Sequence, residues 1–279
     1  MNTQLNLTAD FLDQIQQWQT ILINQIQKTG EFIRQERLKF SGDRIEFKGK
    51  NNLVSYVDRT AEEQLVSCCQ QLIPNSGFVN EETGSKNLHH DFIWIIDPLD
   101  GTTNFIHGVP LYCISLALQY KQTLVLGIIY EVNRAELFSA IATQGAFLNG
   151  KKITVSTETA ISNSLIATGF PYTRFEHIAD YLKMLSNVMQ TVRGLRRLGS
   201  AALDLAYVAC GRFDCFFEAL LSPWDIAAGI LIIQEAGGFV STFDGKTFPL
   251  WGKSIVASNQ KVHTQLIELL AEVAQHELP

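Results

Sequence analysis

The chain opens with apolar residues at helical intervals: Phe11, Ile15, Trp18, Leu22 and Ile26 share one face, and the stripe runs past Gly30 through Phe32 and Ile33. Thr8 and Asp10 stand where an N-terminal cap and an acidic first turn belong, so the pattern predicts a long amphipathic helix. A lysine-rich turn, FKGKNN from Phe47, leads into a short strand over Leu53–Val57. A second helix is predicted from Thr60 to Ile73, stopped by Pro74 and the turn residues Asn75-Ser76-Gly77. FVNEETG, from Phe78, reads as a short strand with an acidic exit, followed by a loop over Ser85–His90.

From Asp91 the period changes. FIWII is a continuous apolar run, YCISLALQY alternates, and TLVLGIIYE and ELFSAI follow at regular spacing, the pattern of meandering strands. GAFLNG, Gly145 to Gly150, supplies an Asn-Gly turn before a strand over Lys152–Val155. Beyond it, strands at Ser164–Thr168, Phe213–Glu218, Phe239–Thr242 and Ser254–Ala257 alternate with helices at His177–Gln190, Ser200–Cys210, Trp224–Ala236 and Gln260–Gln275. No stretch rich in Gly, Ser or Pro separates the halves, so residues 1–279 read as a single compact unit with two lobes, about 1–155 and about 156–279.

Composition narrows the class. Hydrophobic residues make up 46% and charged residues 18% of the chain, which excludes a disordered or coiled-coil protein. A net charge of −6 fits poorly with a general nucleic-acid binder that works by neutralising phosphates. The N-terminus lacks the charged and apolar regions of a leader, and the longest apolar run, Ile226 to Ile233, is too short to span a bilayer; the expected location is cytoplasmic, without membrane contact. Cys68, Cys69, Cys113, Cys210 and Cys215 lack CxxC spacing and sit in apolar periodic segments, as reduced structural thiols do.

Chemistry concentrates in DFIWIIDPLDGTTNFIHG, Asp91 to Gly108. A buried strand runs into Asp97, and Pro98-Leu99-Asp100-Gly101 and two threonines placed to cap a following helix come next. Two carboxylates at one strand end call for a cation, since unpaired buried anions are costly. Glu81-Glu82 and Asp225, the latter at the start of an apolar helix, add oxygen ligands suited to a hard divalent ion. No HExxH motif occurs and His89-His90 lie in a polar loop, against zinc. Glu82, Asp97, Asp100 and Asp225 together carry −4, and a phosphate monoester adds about −2. Like charges about 4 Å apart repel by roughly 4 kcal/mol at an effective dielectric of 20, so these groups do not assemble bare, and two or three Mg²⁺ ions would offset most or all of the charge. Gly101-Thr102-Thr103 offers backbone N–H groups to an anion. Gly245-Lys246-Thr247 mimics the end of a P-loop, but Val240 stands where the first glycine belongs, and a hairpin turn explains it. Arg193, Arg196 and Arg197 form a basic cluster at an expected helix start, read as solvated or as a subunit contact rather than an RNA or second-phosphate site.

NEET (Asn80 to Thr83), WIIDPLDGTTNFIHGVP and PWDIAAGILIIQEAGG, in that order, resemble the three signatures of the inositol monophosphatase family, Mg²⁺-dependent and lithium-sensitive sugar phosphatases. GAFLNG and RRLGSAALDLAYVACG also look like family segments, so the likeness spans almost the whole chain. The resemblance implies an α+β fold, a layered α-β-α-β-α sandwich, and usually a homodimer. It assigns metal ligation to Glu82, Asp97, the Leu99 carbonyl, Asp100 and Asp225, and orientation of the attacking water to Thr102 with Glu82. Backbone amides of Gly101 and Thr102 match the phosphate cradle; Gly199, Ser200 and Ala201 match a substrate-lining loop; and Glu218 matches a carboxylate that contacts sugar hydroxyls. Asn80 stands where glycine is commoner, Leu99 where isoleucine is common, and Asn52 where many members have aspartate, which makes Asp58 the nearer candidate to support the metal site. The implied activity is hydrolysis of inositol monophosphate or a related polyol phosphate by a metal-activated water. Fructose-1,6-bisphosphatase, nucleotide 3′-phosphatase and a regulatory binding protein on the same scaffold are the alternatives.

Overall fold

A computed structural model describes residues 7–39, 45–49, 52–170, 178–246, 250–252 and 254–274. The expected first helix is α1 (Ala9–Lys39), and it buries Ile15, Trp18, Leu22, Ile26 and Ile33 on one face. A hairpin of β1 (Ile45–Gly49) and β2 (Asn52–Ser55) precedes α2 (Tyr56–Leu72), which begins a turn earlier than its periodicity indicates and so takes Asp58 into its first turn. Next come β3 (Gly77–Asn80) and β4 (Gly84–Lys86), the latter lying where a loop was expected: its residues are polar because an edge strand keeps them in solvent. The meander then follows as β5 (Phe92–Asp100), the short α3 (Thr102–His107), β6 (Cys113–Tyr120), β7 (Thr123–Glu131), β8 (Glu136–Ile141), β9 (Gly145–Leu148) and β10 (Lys151–Ile153).

The second half runs β11 (Leu165–Thr168), α4 (Ile178–Thr191), β12 (Gly194–Arg196), α5 (Ala201–Ala209), β13 (Cys215–Ala219), α6 (Pro223–Glu235), β14 (Phe239–Ser241), β15 (Ser254–Ser258) and α7 (His263–Ala274). The His177 start expected for the first of these helices lies outside the described residues. β12 was not foreseen: the arginine cluster brackets this edge strand instead of starting a helix, with Arg193, Arg196 and Arg197 all exposed.

Within the described residues, β10-β9-β8-β7-β6-β5-β3-β4 form an eight-stranded sheet and β12-β11-β13-β15-β14 a five-stranded one. α1 and α2 cover one face of the larger sheet through a core containing Trp18, Leu22, Trp94 and Phe105. α5 and α6, apolar nearly all round, fill the space between the two sheets. α4 and α7 close the far face of the smaller sheet over Tyr181, Phe217 and Phe243. The stack is the expected α-β-α-β-α sandwich. Close approach inside it uses glycine: a Cβ on Gly229 of α6 would meet Leu205 of α5 at 2.6 Å. All five cysteines are free thiols, as expected, and no helix among the described residues is long and apolar enough to cross a membrane. Gly245 of the P-loop look-alike takes φ +76° in a turn between the antiparallel β14 and β15, while Thr247 lies outside the described residues.

Candidate active site

β5 delivers the first carboxylate. Its apolar run, buried on both faces, pairs with β3 and β6 until Asp97, where the ladder to β6 breaks register before Asp100. Pro98 has no N–H to give a ladder, which suits the break. The Asp97 carboxylate Oδ1 accepts from the Leu99 amide at 2.9 Å, turning the chain so that Asp100 follows on the same rim. Asp100 is held from across the molecule: its Oδ2 accepts from Ser200 Oγ at 2.6 Å and from the Ala202 amide at 2.7 Å. Ser200 is the N-cap of α5, so one helix start both caps itself and fixes this carboxylate. Asp225 comes from the first turn of α6, its Oδ2 accepting from the Ser222 amide at 2.7 Å. One carboxylate oxygen from each of Asp97, Asp100 and Asp225 falls within 4.8 Å of the others.

The fourth acid of this cluster is Glu81, not the expected Glu82. β3 runs parallel to β5 with Asn80 opposite Ile96, and the Glu81 amide donates to the Ile96 carbonyl at 3.2 Å, so the next step along the ladder sets Glu81 beside Asp97. The two carboxyls lie close enough for each to act on the other's ionisation. Glu82, one residue on, is in the turn, where its amide and that of Thr83 donate to the buried Glu62 carboxylate of α2 at 2.8 and 2.9 Å. Register between strands separated in the chain selects Glu81, and the pair of adjacent glutamates was the signal available in the sequence.

Crowding shows in the acidities. Burial, then the charge of Asp225, pushes the Glu81 carboxyl up to about 8. Burial, then Glu81, raises Asp97 well above the carboxylate range, and burial, then Asp100, does the same to Asp225. Asp100 is raised less decisively, since burial is opposed by its bonds from Ser200 and the start of α5. Four converging carboxyls resist ionisation together when nothing positive stands among them; a hard divalent cation is the group that this all-oxygen donor set fits.

Thr102 does not cap α3. The cap is Gly101, in the left-handed region at φ 96°, where an added Cβ would meet the carbonyl oxygens of Leu111 at 3.0 Å and Gly199 at 3.3 Å. The Thr102 hydroxyl instead lies 3.0 Å from both Asp58 Oδ1 and the Leu99 carbonyl. Asp58 is fully buried at the start of α2 and so reaches the site, as its candidacy required. Asn104 of α3 donates to the carbonyls of Leu111 at 2.7 Å and Leu198 at 2.8 Å, tying the Gly199-Ser200-Ala201 loop to the carboxylate turn.

Glu218 stands at the end of β13, 7% exposed. Its carboxylate lies against Gly169, where a Cβ would come within 2.1 Å of both oxygens, so glycine there makes the room. Burial pushes this carboxyl up to about 8 against the opposing pull of Arg197. Asp204 of α5, missed in the sequence, is buried nearby with Oδ1 lacking a hydrogen-bond partner; burial, then Glu218, raises it well above the carboxylate range.

The family model of the inositol monophosphatase family matches residues 14–275. The chain belongs to the inositol monophosphatase family. It is 40% identical to inositol-1-monophosphatase of Mesorhizobium japonicum over 249 residues, 89% of this chain and 94% of that protein. It is 39% identical to Nus factor SuhB of Pseudomonas aeruginosa over 252 residues, 88% of this chain and 93% of that protein. The extragenic suppressor protein SuhB of Bartonella henselae has a similar structure, with a TM-score of 0.86 at 38% identity, covering 90% of this chain and 97% of that one. Membership makes the chain an enzyme of the phosphatase type.

Proposed function

We propose that the chain is a Mg²⁺-dependent phosphate monoester hydrolase acting on inositol monophosphate or a related polyol phosphate. The observation that carries this reading is the convergence of Asp97 and Asp100 of β5 with Asp225 of α6, an oxygen of each within 4.8 Å of the others. Glu81 joins them through Asp97 and takes the ligand and water-orienting roles that the family likeness gave to Glu82. The Leu99 carbonyl completes the ligand set.

When bound, two or three Mg²⁺ ions there offset the phosphate's charge and acidify a water molecule. The chain's own groups do the rest. Gly101 and Thr102 amides hold phosphate oxygens, and Glu81 orients the attacking water. The Thr102 hydroxyl has one proton, committed to Asp58 or to the Leu99 carbonyl, so toward the water it accepts, and Asp58 behind it is placed to draw that proton away. Gly199, Ser200 and Ala201 line the sugar side, where Glu218 accepts from leaving-group hydroxyls. Positioning and charge stabilisation supply most of the catalysis in phosphoryl transfer, which suits a site made of fixed carboxylates. A homodimer, a cytoplasmic location, lithium sensitivity and a division of labour between metal and substrate lobes belong to the same reading and rest on the family likeness.

Phosphate release from inositol 1-phosphate tests it. Activity is expected with Mg²⁺ and is expected to vanish in excess EDTA, and Asp97→Asn and Asp225→Asn should each lower kcat by about a hundredfold or more while circular dichroism stays native. Full turnover in EDTA, or by Asp97→Asn, overturns the metal-assisted reading.

A further inference from the structure

β12, β11 and β13 run parallel and adjacent, with Arg196 opposite Ala167 and Thr168 opposite Phe217. The residues that leave the ends of these strands therefore gather on one sheet edge: Arg197 after β12, Gly169 and Phe170 after β11, Glu218 in β13. Ligands in sheets of this kind gather outside the carboxyl ends of parallel strands. The Arg197 guanidinium carbon is 5.7 Å from the centroid of the half-exposed Phe170 ring. Its Nη1 is 3.0 Å from where a Cβ would sit on Gly199, the residue whose carbonyl abuts Gly101. Arg197 thus stands between the substrate-lining loop and the Phe170 platform, and Glu218 lies against the residue before that platform. Its charge acts on Asp100, Asp204, Glu218 and the Tyr181 phenol alike.

We propose that Arg197 is a specificity-determining residue which, together with Glu218, binds neutral vicinal hydroxyls of a polyol leaving group. The inference rests on the phosphatase reading above and names the side chain that selects within it. A guanidinium only donates and a carboxyl oxygen accepts, so a hydroxyl, which does both, bridges the two. Contact with the face of the Phe170 ring restrains the guanidinium, which shortens the list of geometries it can read.

The test compares kcat/KM for inositol 1-phosphate and for methyl phosphate, whose leaving group carries no hydroxyls beyond the ester, in wild type, Arg197→Gln and Arg197→Lys at saturating Mg²⁺, with circular dichroism to confirm folding. Arg197→Gln is expected to lower the inositol-to-methyl ratio about tenfold to a hundredfold, chiefly through KM, the range of one charge-assisted hydrogen bond. Arg197→Lys should recover part of it. Equal losses on both esters, or none, overturn the proposal. A larger loss on fructose 1,6-bisphosphate than on inositol 1-phosphate overturns it in favour of an anion subsite. Wild type inactive on every ester removes the phosphatase reading itself, a result separable from failure of Arg197 alone.

Discussion

Adjacent acids one residue apart have opposite fates here. Glu81 continues the β3–β5 ladder and meets Asp97, while the Glu82 backbone enters a bend fixed by Glu62. Glu81→Gln is therefore expected to cost about a hundredfold in kcat, because a neutral amide is a weak ligand where charge must be balanced, and Glu82→Gln less than about tenfold. Manganese binding followed by electron paramagnetic resonance should weaken with the first substitution and change little with the second. The reverse order would return the ligand role to Glu82. The DPLDGTT run and the WD pair announced Asp97, Asp100, Thr102 and Asp225 without help from the fold, because turn chemistry and a helix start are local. Choosing between two neighbouring glutamates was out of reach, because it depends on how two strands eleven residues apart are set against each other, Asn80 opposite Ile96, with Gly84–Lys86 intervening as a third.

Among the elements, α2 does more than cover the sheet. It presents Asp58 to Thr102 at 3.0 Å and, one helical turn on, Glu62 to the amides of Glu82 and Thr83. A buried carboxylate accepting two amides is an efficient clasp, whereas a glutamine can accept with one end only and turns a donor toward the other amide. Glu62→Gln should lower stability by about 1–3 kcal/mol and loosen the bend that carries Glu81, measured as a lower urea midpoint together with a higher Mg²⁺ requirement for activity. A lower midpoint with an unchanged Mg²⁺ requirement would confine Glu62 to holding the fold. The periodicity of α2 was plain in the sequence, yet its first turn was not, because Tyr56–Arg59 reads equally as the end of a strand until packing decides. The edge strands β4 and β12 escaped detection for a related reason: three polar or mixed residues carry no alternation to read.

For the whole molecule, the carboxyl cluster sets an unusual dependence on pH. Glu81 and Glu218 titrate at about 8 in the folded chain against an ordinary value of 4.5. A carboxyl raised on folding contributes stability that is present below its unfolded value and lost as pH rises through its folded value, since the unfolded state then releases its proton first. In EDTA the melting temperature is accordingly expected to fall between about pH 5 and pH 8.5, the reverse of a salt-bridged carboxylate. Adding Mg²⁺ should reduce that fall by the share due to Glu81, because a cation held by the ionised cluster makes its ionisation favourable, while the share due to Glu218, outside the ligand set, remains. Scanning calorimetry in both buffers decides it, and a melting temperature that rises across this interval in EDTA would show that the cluster is ionised without a cation.

By itself the sequence determined the layers, the meander, the strand-end carboxylates and the family, since each follows from a periodicity or a motif contained within a few turns of chain. The tertiary structure alone decided that Glu81 faces Asp97, that Asp204 is buried beside Glu218, that Gly169 leaves space for that carboxylate, and that Arg197 stands between Phe170 and Gly199. The physical reason is common to all four. Each depends on the register and order of elements that are not successive neighbours in the chain, and those are set by packing between separated segments, which no local pattern encodes.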